Sequence, residues 1–65
     1  MSDIEKLAKF QQMINDITAE QEKISVELAD LRSQGKEKTV QFRQLFTKKL
    51  SNTNVISLLK NYGLI

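Results

Sequence analysis

The sequence predicts an all-α protein, in which a long N-terminal heptad helix is followed by a return arm of two shorter helices. The product is a helical hairpin or bundle that we expect to be oligomeric. Apolar residues repeat over four consecutive heptads near the N-terminus, which is typical of coiled-coil and bundle helices. The chain has no proline, and its two glycines lie at positions 35 and 63, so helices can run uninterrupted between them. The C-terminal segment is rich in apolar residues, and a chain of 65 residues has little core in which to bury them.

Helix 1 is predicted to run from about residue 3 to residue 33. Ser2 and Glu5 have the spacing of a capping box, which marks a helix start. Gly35 is the first residue that adopts the left-handed conformation after a helix end at low cost. Seven of the eight a and d positions are large and apolar, and we predict that all eight pack against other helices: Leu7, Ile14, Gln21 and Leu28 at a, and Phe10, Ile17, Ile24 and Leu31 at d.

Helix 1 has features of a bundle helix rather than a two-stranded coiled coil. Gln21 is the polar residue at an a position, where such a side chain commonly fixes register or strand number. Phe10 is bulky for the d position of a parallel dimer. Met13 and Val26 lie off the a and d positions, so the apolar surface is wider than a narrow stripe.

The return arm is predicted to contain two helices. Helix 2 should span about residues 38–50, with an apolar face that follows helical spacing and consists of Phe42, Leu45, Phe46 and Leu50. The segment Ser51–Asn54 consists of residues that favour caps and turns, so we expect a break there. Helix 3 should follow at about residues 54–62 and end at Gly63. Residues 1–65 would thus form a single all-helical domain.

Helix 3 is the strongest sequence signal for self-association. Apolar residues cover most of its circumference: Val55, Ile56, Leu58, Leu59 and Tyr62. A helix that is apolar nearly all round must be buried on more than one side. Helix 1 alone cannot provide this cover, but a second copy of the chain can. We therefore expect a homodimer built as a bundle of four to six helices.

Charge is divided unevenly along the chain. Residues 1–33 hold seven acidic and four basic side chains, a net charge of −3, whereas residues 34–65 hold six basic and one acidic, a net charge of +5. The two halves should attract each other, so the basic half can fold back on helix 1. The alternative is that the basic half binds nucleic acid, with Lys36, Lys38, Arg43 and Lys48 as the candidate residues.

The residue types argue against catalysis. The chain has no histidine and no cysteine, which removes disulfides, thiol nucleophiles and imidazole catalysis, and disfavours zinc binding. The acidic residues of helix 1 lie mainly at solvated heptad positions. We predict no catalytic residue, no metal site and no cofactor, and expect that the protein is not an enzyme.

The sequence contains no apolar run long enough for a membrane span, and it starts Met1-Ser2-Asp3, without the basic and apolar regions of a signal peptide. A cytoplasmic protein without a membrane partner is the expectation. The outline is similar in shape to small helical-hairpin proteins such as plasmid copy-number regulators and secretion chaperones. No motif carries an activity over from them. The function predicted is that of a small non-enzymatic interaction or regulatory protein that acts through helix contacts, with a second copy of itself as the expected partner and another helical protein as a further candidate. A dimeric nucleic-acid-binding regulator is the alternative.

Overall fold

The computed structural model describes residues 2–65, which form two helices and no strand. Helix α1 spans Asp3–Ser33 and helix α2 spans Val40–Asn61. The helices pack against each other as an antiparallel hairpin with overall dimensions of 48 × 20 × 15 Å. The prediction of an all-α chain that folds back on a long N-terminal helix is confirmed.

Both ends of α1 are capped at the residues that the sequence indicates, Ser2 and Gly35. The Glu5 backbone N–H donates to the Ser2 hydroxyl at 3.2 Å, which satisfies one of the free amides of the first turn. At the other end Gly35 has φ +73°. Its N–H donates to the Arg32 carbonyl at 3.0 Å, and the Lys36 N–H donates to the Leu31 carbonyl at 2.8 Å. These two bonds form a Schellman motif, so the predicted bounds of helix 1 are confirmed.

Helix α2 is continuous, and the predicted break at residues 51–54 is wrong. The helix begins after Thr39, whose hydroxyl accepts from the Phe42 N–H at 3.2 Å. It runs to Asn61, and Gly63, which has φ +72°, lies just beyond its C-terminal cap. The two short helices predicted at 38–50 and 54–62 are therefore one helix of 22 residues.

The polar residues at 52 and 53 remain helical because they form hydrogen bonds within the hairpin. The Thr53 hydroxyl donates to the Lys49 carbonyl of its own helix at 2.8 Å, and the Asn52 amide donates to Glu20 of α1 at 2.9 Å. Residues of this kind favour caps when their side chains bond to nearby backbone amides. Here those side chains bond to the preceding turn and to the neighbouring helix, so the local preference for a break is overridden.

The core is a single layer of side chains between the two helices. Its buried members are Ile14, Ile24, Leu28 and Leu31 of α1 and Leu59 of α2, each 4–8% exposed. The half-buried apolar members are Phe10, Ile17, Phe42, Leu45, Val55 and Ile56. Because each helix has one neighbour, every apolar side chain outside this layer faces solvent in the single chain.

The first two turns of α1 extend beyond the end of α2. Gln21 lies opposite Lys49 and Thr53, to which its side chain donates hydrogen bonds. From Gln21, three turns toward the N-terminus of α1 lead to Phe10. From Lys49, the same three turns toward the C-terminus of α2 lead to the end of that helix at Asn61. Residues 3–9 thus have no opposite helix, and Leu7 is 68% exposed although it is an a-position residue.

Candidate interaction surface

A polar contact joins the middle of the two helices. The Gln21 amide nitrogen donates to the Lys49 carbonyl at 3.0 Å and to the Thr53 hydroxyl at 2.8 Å. These two acceptors fix the orientation of the amide, because a reversed amide would direct its oxygen at a carbonyl oxygen. The Gln21 Oε1 atom is buried and has no hydrogen-bond partner among the described residues. An unpaired buried acceptor of this kind opposes folding by about as much as the two hydrogen bonds favour it, so the contact adds little net stability.

A second polar contact lies on one side of the hairpin. Glu20 of α1 accepts from the Asn52 amide at 2.9 Å and forms an ion pair with Lys48 at 3.5 Å. The Asn52 hydrogen bond is the main reason that the pKa of Glu20 lies below its ordinary value, and Lys48 lowers the pKa further, while desolvation opposes both. The ion pair is largely solvated, so it orients the helices more than it stabilises them.

Aromatic side chains lie on the other side of the hairpin, near the connection. The rings of Phe42 and Phe46 are stacked, with centroids 6.3 Å apart and planes inclined by 8°. The Arg32 guanidinium lies 5.7 Å from the centroid of Phe42 and forms an ion pair with Glu37 at 3.8 Å. Phe46 is nevertheless 43% exposed, and Leu50, one turn further along α2, is 52% exposed.

The predicted packing residues divide into two groups. The buried and half-buried residues of α1 and α2 form the core described above. The others face solvent in the single chain: Leu7, Phe46, Leu50, Leu58 and Tyr62. Phe46 and Leu50 are about half exposed in the single chain, because successive steps of four residues rotate a position by about 40° and carry these two side chains towards the edge of the contact with α1.

The C-terminal part of α2 is buried on one side. Leu59 is 8% exposed and belongs to the core, whereas Leu58 is 56% exposed and Tyr62 is 79% exposed. The residues that the sequence assigns to helix 3 therefore contact α1 through one face, and their outer face is open. Burial of that face in an oligomer was predicted from the sequence, and the single chain does not test it.

The structure does not bring together on one surface all four basic residues that are the candidates for nucleic-acid binding. Lys36 and Lys38 lie in the connection between the helices, and Arg43 lies in the first turn of α2. Lys48 is on the side of the hairpin where Glu20 binds it. Three of the four are thus near one end, and the fourth is paired with a carboxylate.

Sequence reasoning missed Asn52, Thr53, Glu20 and Lys48 as contact residues between the helices. A signal for the inward-facing residues of α2 was present. The inward-facing residues of α2 recur at steps of three and four, and the series passes through the polar segment 51–54 without a break. All of them are buried or half-buried: Phe42, Leu45, Lys49, Asn52, Ile56 and Leu59. This spacing indicates one amphipathic helix with polar residues in its packing face.

Within residues 2–65 the structure contains no pocket and no group of three or more acidic side chains arranged to hold a metal ion. Neither helix carries an apolar stretch long enough to cross a membrane. That the protein is not an enzyme stays a prediction. The chain matches no protein-family model, and comparison with curated proteins and with solved structures gave no match. The surface of the hairpin is therefore the basis for a functional hypothesis.

Proposed function

We propose that this chain is a small non-enzymatic helical interaction protein that acts by self-association, with a homodimer as its functional unit. The observation that supports the proposal most directly is the amount of surface that one chain leaves exposed. Large apolar side chains are exposed along the whole hairpin, from Ile4 at 80% to Tyr62 at 79%. Exposed apolar surface of this extent is a mark of protein interaction sites.

The exposed area is close to what a dimer needs. The accessible surface of the chain is 5229 Å². A compact monomer of this mass, 7.5 kDa, would expose roughly 4,200 Å². The excess, about 1,000 Å², is similar to the roughly 800 Å² that each partner buries in a stable protein interface. One further chain of the same kind would bring the surface of each copy near that of a compact protein.

The shape of the hairpin supports the same proposal. Its radius of gyration is 14.8 Å, compared with about 11 Å for a compact domain of 65 residues. A two-helix hairpin has one packing layer, and small natural scaffolds commonly gain stability by oligomerisation. Packing two hairpins side by side would add a second layer without any change in the fold. A cytoplasmic location is part of the proposal, since a chain without cysteine does not need an oxidising compartment to fold.

The proposal is tested by the mass in solution. Sedimentation equilibrium from about 1 to 100 μM should show a transition from a species of 7.5 kDa to one of twice that mass, with helical circular dichroism throughout. A fully helical monomer at every concentration would contradict self-association. A mass that rises without limit would indicate open-ended assembly rather than a dimer.

The nucleic-acid alternative depends on Lys36, Lys38 and Arg43, which are exposed at the connection end of the hairpin. Binding through these residues would weaken steeply with salt, because each neutralised phosphate releases counterions. Retention of mixed-sequence duplex DNA at about 50 mM salt, and its loss at about 200 mM, would favour this alternative. We expect no retention, since the three residues cover one tip of the molecule and Lys48 is paired with Glu20.

A further inference from the structure

The two flanks of α1 beside its packing face differ in charge. With Leu7 at a, seven of the eight residues at the c and g positions between Lys6 and Asp30 are charged. At the b and e positions between Ile4 and Arg32, the charged residues are Glu22 and Arg32, and the remaining seven are isoleucine, alanine, glutamine, asparagine, threonine and serine. One flank is therefore suited to water, and the other to contact with protein.

The contacts of α2 show which of its side chains border each flank. Glu20, at a g position, binds Lys48 and Asn52, so these two residues border the charged flank. Arg32, at an e position, lies over Phe42, which places the aromatic side chains beside the other flank. We call the b and e residues of α1 together with Phe42, Phe46 and Leu50 the low-charge flank.

The low-charge flank has the composition of an interface. Its α2 part consists of the stacked pair Phe42–Phe46 and of Leu50, with Phe46 and Leu50 about half exposed. Its α1 part contains small side chains, including Thr18, Ser25 and Ala29, which permit close approach of a neighbouring helix. Aromatic residues are enriched and charged residues are depleted at the centres of protein interfaces.

Resting on the proposed function, we infer that a second copy of the chain docks on the low-charge flank, in an antiparallel and isologous four-helix bundle. In such a dimer the same patch of both copies forms the interface. The charged flank of each copy remains in water, where its charges need no desolvation. The inference thus specifies the face on which the second copy docks and the relative direction of the two copies.

The lengths of the helices favour the antiparallel direction. The midpoint of α1 is Thr18, so a two-fold axis at that residue places the overhanging first turns of one copy beside the connection end of the other. The exposed Ile4 and Leu7 of each copy would then lie near the partner's Phe42 and Phe46. The exposed apolar region at one end of each copy would thus cover the exposed apolar region at the opposite end of its partner.

Charge favours the same direction. The connection end of the hairpin carries Arg32, Lys36, Lys38 and Arg43 with Glu37 as the acidic residue among positions 32–43, a net charge of +3. A parallel dimer would bring two such ends together, and like charges at short range disfavour the arrangement. In the antiparallel dimer the two ends are separated by most of the 48 Å length of the molecule.

Two matched substitutions test the face. Phe46→Lys places a charge on the low-charge flank, whereas Leu58→Lys places one at an exposed apolar position on the outer side of the same helix. Because an isologous interface contains each substitution twice, we expect Phe46→Lys to raise the dimer dissociation constant by about 100-fold or more. Leu58→Lys should leave it within about threefold, and both variants should keep the wild-type helicity.

The outcomes separate the face from the proposed function. A wild-type chain that is monomeric at every concentration defeats the proposed function itself. A wild-type dimer that survives Phe46→Lys but dissociates with Leu58→Lys retains that function and overturns this face. Equal dissociation by both variants would also overturn it, because a specific flank predicts a difference.

Cysteine cross-linking tests the direction, and the natural chain has no cysteine to interfere. Gln11, Thr18 and Ser25 occupy successive e positions. In the antiparallel dimer Thr18→Cys forms a disulfide between the two copies. Gln11→Cys alone and Ser25→Cys alone form no disulfide between copies. A mixture of the Gln11→Cys and Ser25→Cys chains does form one. In a parallel dimer the mixture of Gln11→Cys and Ser25→Cys would not cross-link, because positions 11 and 25 of the two copies would lie about 21 Å apart along the bundle. That second pattern would overturn the inferred direction.

Discussion

Replacement of Gln21 by leucine is expected to stabilise the hairpin. The substitution removes two hydrogen bonds from the amide nitrogen, at 3.0 and 2.8 Å, which together contribute about 1–3 kcal/mol. It also removes the buried Oε1 atom that has no partner among the described residues, and an unsatisfied buried acceptor costs about 1–3 kcal/mol. These two effects are of similar size and opposite sign.

The remaining effect is apolar burial. Gln21 is half-buried, so a leucine there should gain about 1 kcal/mol, less than the roughly 1.5–3 kcal/mol of a fully buried leucine. The former acceptors keep a contact, because the Thr53 hydroxyl still donates to the Lys49 carbonyl at 2.8 Å. The expected result is therefore an increase of about 1 kcal/mol in the free energy of unfolding, which corresponds to roughly 4–8 °C in Tm for a domain of this size.

The assay is urea unfolding followed by circular dichroism at one fixed protein concentration, since self-association makes stability depend on concentration. Gln21→Ala is the matched control: it removes the same polar atoms without adding apolar contacts, so it should lie below Gln21→Leu by about 1 kcal/mol or more. A loss of more than about 1 kcal/mol in Gln21→Leu would refute the reasoning, because it would mean that Oε1 is satisfied in the folded protein.

Three further predictions concern the core, the connection and the Glu20 contact. Leu28→Ala, at a side chain 4% exposed, should lower the free energy of unfolding by about 2–4 kcal/mol, whereas Val26→Ala, at one 65% exposed, should change it by less than about 0.5 kcal/mol; equal effects in urea titrations would contradict the burial pattern. Gly35→Ala has open space for the added Cβ at φ +73°, so calorimetry should show the cost of the left-handed conformation alone, about 1–2 kcal/mol. Because the pKa of Glu20 is lowered in the folded chain, this carboxylate stabilises the fold at pH values above its ordinary pKa of 4.5. That stabilisation is lost as the pH falls through the lower, folded-state pKa. Asn52→Ala should move that pKa back upward in an NMR titration, and an unchanged pKa would show that the Asn52 hydrogen bond is not its main cause.

The course of α1 could be predicted from the sequence because its ends are determined by nearby residues. Ser2 caps its first turn, and Gly35 takes the left-handed conformation that closes it. Both signals act within a few residues, so they do not depend on how the rest of the chain folds. The all-α fold follows from the same kind of local pattern, whereas the return of the chain along α1 was predicted from the opposite net charges of the two halves.

The course of α2 could not be predicted from local preference. Asn52 and Thr53 favour caps as isolated residues, but Glu20 and Gln21 of α1 bind their side chains. These partners are 32 positions away in the sequence, and the pairing exists only once the hairpin has closed. Long-range hydrogen bonds therefore determined whether this segment became a turn or a helix.

The exposure of Phe46 depends on a similar long-range fact. Its spacing from Phe42 and Leu50 is helical, and spacing alone assigns all three to one apolar face. Which edge of that face meets α1 depends on the register of the hairpin, which the Gln21 contacts with Lys49 and Thr53 hold. The sequence thus predicted the apolar residues of α2 better than it predicted which of them α1 would cover.

The position of a residue in the single hairpin also decides what its substitution can report about assembly. A charge at Leu59, which is 8% exposed, would enter the layer between α1 and α2 and unfold the chain, whether or not a dimer exists. A charge at Phe46, which is 43% exposed, can be solvated in the monomer and is buried only if a partner covers it. Loss of dimer with retained helicity in Phe46→Lys would therefore report on the contact between copies and not on the fold. Since the core is one layer thick, the side chains available for such a contact are those that the opposite helix does not reach.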